Sequence, residues 1–138
     1  MSTIGTTEHG AVRLVNEMGR RFREGDHAGA FDLLHPDFSI QQPESLPHGG
    51  RHDGRDGMVA ASTEFARHWE RSIGAARVLG CDDGSAVQIT TQTWTARSTG
   101  RSATVDVVEL FTVADGLIAE IRVFQQDTHV LLATLDSP

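Results

Sequence analysis

A single cysteine, Cys81, in 138 residues excludes an internal disulfide and a thiolate metal cluster. Basic patches are missing as well. The 12 Lys and Arg residues, many of them single arginines, stand against 19 Asp and Glu, for a formal net charge of -7, so the chain as a whole repels nucleic acid and no such partner is expected. The opening MSTIGTTEHG carries no basic segment followed by an apolar one, and no apolar run approaches membrane length. No signal peptide and no membrane contact are expected, and the cytoplasm is the expected location. No glycine-rich fingerprint follows a strand, and Gly49-Gly50 is not followed by Lys-Ser or Lys-Thr and a helix, which argues against a nucleotide site. The histidines are scattered. His48 and His52 are four apart, but in a glycine-rich loop without a supporting carboxylate, so neither metal nor cofactor is expected.

What is present suffices for one core. The chain is 38% hydrophobic and 22% charged, consistent with one domain over 1–138 whose residues 1–8 are frayed. Val12, Val15, Met18 and Phe22 fall at helical spacing and predict a helix over 9–24. Asp26 is placed to cap a short helix over 27–34. Phe38 and Ile40 alternate with polar neighbours and predict a strand over 37–42. Asp56 would cap a third helix over 57–73, with Met58, Ala61, Phe65 and Trp69 along one side.

From residue 75 the period changes from 3.6 to 2. Strands are expected over 75–80, 85–98, 101–114 and 117–127, joined by turns at Asp82-Asp83-Gly84, Thr99-Gly100 and Asp115-Gly116. Leu131, Leu132 and Leu135 suggest a closing helix, with Asp127 or Thr128 as cap. Helices first and a meander afterwards make an α+β fold with helices gathered on one face of an antiparallel sheet. Both faces of 104–111 carry apolar residues. The helices cover one, and a second subunit would cover the other, so a homodimer through the outer sheet face is expected. The acid inside VDVVELF, Glu109, is exposed, paired with Arg122 on the neighbouring strand, or functional, because an unpaired buried carboxylate is costly. Asp106 points the other way.

Four stretches, RRFREGDHAGAFDLLHPDFSI, HDGRDGM, VVELFTVADGLIAEIRVFQQD and THVLLATL, together resemble the nuclear-transport-factor-2-like superfamily. Within it the chain is most similar to the branch of SnoaL-like polyketide cyclases and ketosteroid isomerase. The resemblance implies a cone-shaped curved sheet with N-terminal helices on its concave face, a hydrophobic pocket open at one end, and a small hydrophobic ligand. It also places the 43–54 loop at the rim, where Glu44 or His48 could face the ligand.

The branch's usual acids do not reappear. Gln42, before Pro43, stands where ketosteroid isomerase-like members carry an aspartate, and Val123 and Ile121 stand where the cyclases carry an acid and a histidine. An epoxide-hydrolase-like Asp-Arg-Asp group would have to come from Asp106, Arg122 and Asp127. The expected acid-base groups are therefore Glu109, Asp127 and His48. Glu44, Gln125, Gln42 and Arg122 would position the ligand, and Trp69, Phe65, Phe31 and Phe124 would form walls or plain core. The expected activity is cofactor-independent proton transfer on an apolar polyketide-like or polycyclic substrate, as cyclase or isomerase. A non-catalytic binding protein of the same shape, or an epoxide hydrolase, remains the alternative.

Overall fold

Ala11, Val15 and Met18 are buried at spacings of four and three, and they hold the first helix, α1 (Thr3–Arg23), against the sheet. The computed structural model describes the backbone of residues 3–136 and the side chains of 10–136. The helix thus begins earlier than expected, and of the end predicted to fray, Met1 and Ser2 lie outside the described residues. Three arginines in its last turn oppose the helix dipole. Gly25, at φ +78°, reverses the chain, and Asp26 caps α2 (His27–Phe31) by accepting from the Gly29 amide at 2.9 Å.

The remaining elements are β1 (Leu34–Gln42), β2 (Gly50–Asp53), α3 (Gly54–His68), β3 (Trp69–Ile73), β4 (Arg77–Gly80), β5 (Ala86–Ala96), β6 (Ser102–Ala114), β7 (Leu117–Gln125) and α4 (Thr128–Ala133). The sheet runs β2-β1-β7-β6-β5-β3, with β4 also paired to β5. The α+β class with helices packed on a curved sheet is as expected. The sheet is mixed rather than wholly antiparallel, because β1 and β7 run parallel, joined by most of the chain rather than by a hairpin.

Three local expectations are corrected. The third helix ends at His68, not at 73. Trp69 keeps the four-residue spacing from Phe65, so periodicity alone extends the helix, but residues 69–73 pair with β5. Asp56 lies in the first turn of α3 and does not cap it; Asp53 is at the cap position, but its carboxylate accepts from Arg51 Nε at 2.8 Å and not from the helix. Part of the 43–54 loop is also a strand, since 50–53 pairs with β1. The Asp115-Gly116 hairpin is as predicted, with φ of 53° and 73° at the two residues, as a type I′ turn demands.

Register fixes the two faces of the sheet, since residues directly opposite share a side. On β6, Val107 faces Thr90 and Gln125, Glu109 faces Gln88 and Val123, and Phe111 faces Ala86 and Ile121. This is the concave side, where Val107, Phe111 and Ile121 are buried. The core there includes Val15, Phe38, Trp69, Trp94, Ile118 and Leu131. The outer side carries Val108 opposite Ile89 and Phe124, and Leu110 opposite Val87 and Arg122.

Candidate functional site

The glycine-rich segment after β1 folds inward. The Leu46 amide bonds to the Pro43 carbonyl at 3.2 Å and the Gly49 amide to the Leu46 carbonyl at 2.8 Å, giving two successive turns. A Cβ on Gly49 would stand 2.4 Å from the Pro43 carbonyl oxygen, so this close winding requires glycine. Gly50, at φ +85°, then leads into β2. The result is that Leu46 and His48 are both 4% exposed, inside the molecule rather than on its surface.

The His48 ring sits edge-on to Phe65 at 5.3 Å and to Trp69 at 6.1 Å, and tilted against Trp94 at 5.9 Å. Burial in this aromatic box, with the Arg71 charge adding to it, lowers its pKa to about 4. The imidazole is therefore neutral at neutral pH, and its Nδ1 is buried with no hydrogen-bond partner among the described residues. The His48 carbonyl oxygen lies 3.0 Å from His52 Nε2, so His52 holds the loop and does not enter the site.

Glu109 is on the concave side, carried there by the alternation of β6. Burial raises its pKa, only partly offset by the hydrogen bond that Gln88 Nε2 donates to its Oε1 at 3.0 Å and by the Arg71 charge. The expected alternative, a pair with Arg122, does not exist: Arg122 stands opposite Leu110, on the outer side, with its guanidinium 5.5 Å from the centre of the Phe124 ring. The hydrogen-bond partner of Glu109 is thus a neutral amide and not an arginine.

Arg71 is the residue that the sequence did not reveal. It lies on β3 opposite Trp94, one residue from Glu70, which turns outward to Arg97 at 2.8 Å. The Arg71 guanidinium lies over the Phe65 ring, 4.5 Å from its centre. Protein surrounds it closely enough to lower its pKa, with Glu109 acting in the opposite sense. The side chain as a whole is nevertheless exposed, so Arg71 stands at the surface edge of the aromatic cluster and not in packed core. Gln88, Thr90 and Gln92 were also missed. Gln92 Oε1 accepts from the Trp94 indole at 2.9 Å and its Nε2 donates to Thr90 Oγ1 at 3.0 Å, so a polar ladder runs up the concave side of β5. Their alternation with outward residues was the available signal.

Glu109, Gln125 and Gln42 stand on the concave side of the sheet, and His48, Phe65 and Trp69 form one aromatic cluster. Gln42 and Gln125 face inward, and the Oε1 of each is buried and unpartnered among the described residues. Several expected residues lie elsewhere. Asp127 is exposed and caps α4, accepting from the Val130 amide at 3.2 Å, which is its structural alternative. Phe124 is 47% exposed on the outer side. Phe31 packs against Phe22 at 5.8 Å, between α1 and α2. Glu44 is exposed and, with Arg122, lines a groove of about 330 Å³ where β1 ends beside β7. The Asp-Arg-Asp group does not assemble: Asp106 is on the outer side accepting from Thr91 Oγ1 at 2.8 Å, Arg122 is on that side too, and Asp127 is a cap.

A wider hollow of about 540 Å³ lies between α1 and the turns that include Gly84 and Gly116. Its acids are fixed as anions: Glu17 is held at a pKa of about 2 by Arg20 and Arg21, and Asp83 is lowered by Ser85. It offers no proton-transfer group, so the concave interior is the candidate site. No group of His, Cys, Asp and Glu suited to a metal ion occurs among the described residues. No helix among them is long and apolar enough to cross a membrane.

Solved structures share this architecture. An NTF2-like protein from Burkholderia xenovorans LB400 superposes with a TM-score of 0.82 at 21% identity, covering 94% of this chain and 98% of its own. TerC, crystallised with polyporic acid, gives 0.81 at 22%, covering 93% and 99%. A Pseudomonas putida KT2440 protein named as a suspected polyketide cyclase gives 0.76 at 18%, covering 91% and 98%. At these identities the likeness speaks for the fold. Among curated proteins, no sequence matches significantly. Residues 15–121 match the SnoaL-like domain, and the chain belongs to that family.

Proposed function

We propose that the chain is a cofactor-independent enzyme that transfers a proton on an apolar, ring-containing or polyketide-like substrate, as a cyclase or isomerase. The observation that carries this reading is Glu109: an inward carboxylate, raised in pKa by burial, whose hydrogen-bond partner is a neutral amide. In the proposed step its carboxylate takes a proton from the carbon beside a substrate carbonyl. The C–H electron pair moves onto the carbonyl oxygen, and an enolate forms. Returning the proton to a different carbon completes an isomerisation; attack of the enolate carbon on a second carbonyl closes a ring. A base raised toward the working pH is the more effective one. The Arg71 charge favours the negative charge that develops, and the side chains of Gln42, Gln125 and neutral His48 are available to hold substrate oxygens. Phe65, Trp69 and Trp94 form the packed aromatic core behind His48.

The named relatives support the same class. Several solved structures of this fold are suspected polyketide cyclases, and TerC was crystallised with polyporic acid. Dimerisation through the outer face belongs to this proposal. The apolar pairs Ile89–Val108 and Val108–Phe124 form a band across three strands that the chain's own helices do not cover.

The test is proton exchange, which needs no knowledge of the natural substrate. In D2O, the protein is expected to exchange the acidic C–H of 2-tetralone or a related cyclic ketone faster than buffer does, and Glu109→Gln is expected to abolish the gain. Tight binding of such ketones with no exchange would leave the non-catalytic binding protein as the better reading.

A further inference from the structure

The Glu109 carboxylate is held by one oxygen only. Gln88 Nε2 donates to Oε1 at 3.0 Å, and Oε2 has no partner among the described residues. The sheet builds this contact. Gln88 pairs with Val78 of β4 on one side and with Glu109 of β6 on the other, and Glu109 pairs in turn with Val123 of β7. Both residues therefore stand on interior strands, whose neighbours fix where each Cβ lies and points. Both are partly buried. Thr90, the next inward residue on β5, already accepts from Gln92. The other groups facing Glu109 are mostly uncharged: Val123 on β7, and Ala11, Val15 and Met18 on the sheet side of α1. Arg71 on β3 acts on it through charge and not through a hydrogen bond.

An ionised carboxylate only accepts, and an amide N–H only donates, so the bond suits the anion. A protonated carboxyl can keep the same bond on Oε1 while Oε2 carries the proton. The pair thus serves both states without rearranging. We infer that Gln88 is the positioning residue for Glu109: it holds Oε1 in both protonation states and so makes Oε2 the oxygen that gains and loses the proton. This rests on the reading of Glu109 as the acid-base group, but the arrangement can be measured without turnover. In the step proposed above, the C–H proton passes to Oε2 and returns from it, while Oε1 keeps its bond to Gln88. A carboxylate fixed in this way is aimed before the substrate arrives. The same bond opposes the upward pull of burial on the Glu109 proton.

The test is titration of the Glu109 carboxyl carbon by NMR in protein labelled at glutamate, the signal being the one missing from Glu109→Gln. Gln88→Met keeps the length and removes the donor. Its Glu109 midpoint is expected to move to higher pH, and the pH at which exchange of 2-tetralone sets in is expected to move with it. A merely structural glutamine would change stability and move neither. Gln88→Glu sets two carboxyls in contact, which are expected to titrate in two separated steps, the upper one above the parent's midpoint. In the unaltered protein, the Gln88 side-chain amide signal is expected to shift with the Glu109 midpoint, a reading that needs no variant to fold. An unmoved midpoint in folded Gln88→Met, independent titrations in Gln88→Glu, or a Gln88 amide that ignores the Glu109 titration would each overturn the inference. Midpoints that move as expected in a protein that exchanges no ketone would sink the enzymatic proposal alone. Exchange whose pH dependence is the same in Gln88→Met would sink this inference alone.

Discussion

Gln88 and Glu109 stand directly opposite each other on β5 and β6, and the Gln88 amide is the carboxylate's hydrogen-bonding partner at 3.0 Å. A neutral donor does not offset the loss of water around a charge, so the folded state holds the proton more tightly than the unfolded chain does. A group whose folded pKa is raised adds stability that is fully present below its unfolded pKa, 4.5, and is lost as pH rises through the folded value. Glu109→Gln removes that loss. The variant is expected to gain in melting temperature over the unaltered protein as pH rises from 4.5 toward neutrality, while it loses proton exchange. Paired melting curves across pH check this, and a variant that is no more stable at pH 7 than at pH 4 relative to its parent would count against an inward, desolvated Glu109.

His48 works in the opposite sense. Its pKa falls from 6.5 unfolded to about 4 folded, so its contribution is present above pH 6.5 and is lost as pH drops toward 4. The full span is worth up to about 3 kcal/mol. His48→Gln is expected to be less stable than its parent at pH 7 and to lose less on acidification. Nitrogen-resolved NMR of the imidazole gives a direct reading: the ring stays neutral at pH 5.5, where a surface histidine is mostly protonated.

Trp69 ties the start of β3 to the segment that ends α4. Its indole Nε1 donates to Thr134 Oγ1 at 2.8 Å, and both residues are buried. Thr134→Val keeps the shape and strands the indole N–H, which costs about 1–3 kcal/mol. Chemical denaturation measures it. Because Trp69 is fully buried and its indole loses its acceptor, the same variant is expected to shift tryptophan fluorescence more than it alters backbone circular dichroism.

The fold was largely legible and the site only half so, for a physical reason that Arg71 illustrates. In 57–73 the sequence keeps apolar residues four apart through Phe65 and Trp69, so a helical reading carries past His68. That reading puts Arg71 on a solvated helix face. Only pairing with β5, a contact between segments some twenty residues apart, turns residues 69–73 into a strand and sets the exposed Arg71 opposite Trp94, with its guanidinium over Phe65. Glu109 was visible because a carboxylate in a continuous apolar strand is anomalous in itself. Gln88, Thr90 and Gln92 were not, since a strand with two alternating faces does not declare which face is concave until its neighbours are known. The Asp127 ambiguity was likewise a choice between a cap and a catalyst, and the hydrogen bond to Val130 shows it serving as the cap.

The loop after β1 supplies the last prediction. His48 reaches the aromatic box only because residues 43–49 wind tightly, and that winding brings three carbonyl oxygens, of Pro43, Glu44 and Leu46, within 2.8 Å of where a Gly49 Cβ would be. Backbone atoms cannot yield as a flexible side chain would. Gly49→Ala therefore has to unwind the turn, and His48 moves with it. The variant is expected to lose about 2 kcal/mol or more of stability, in the range of strained backbone substitutions. Its His48 is expected to titrate closer to 6.5, having left the apolar box. Gly10→Ala, where a Cβ meets nothing within 4 Å, is the control and is expected to be neutral or slightly stabilising within α1. If Gly49→Ala left both the stability and the His48 titration unchanged, the tight winding of this loop would not be what holds the imidazole inside.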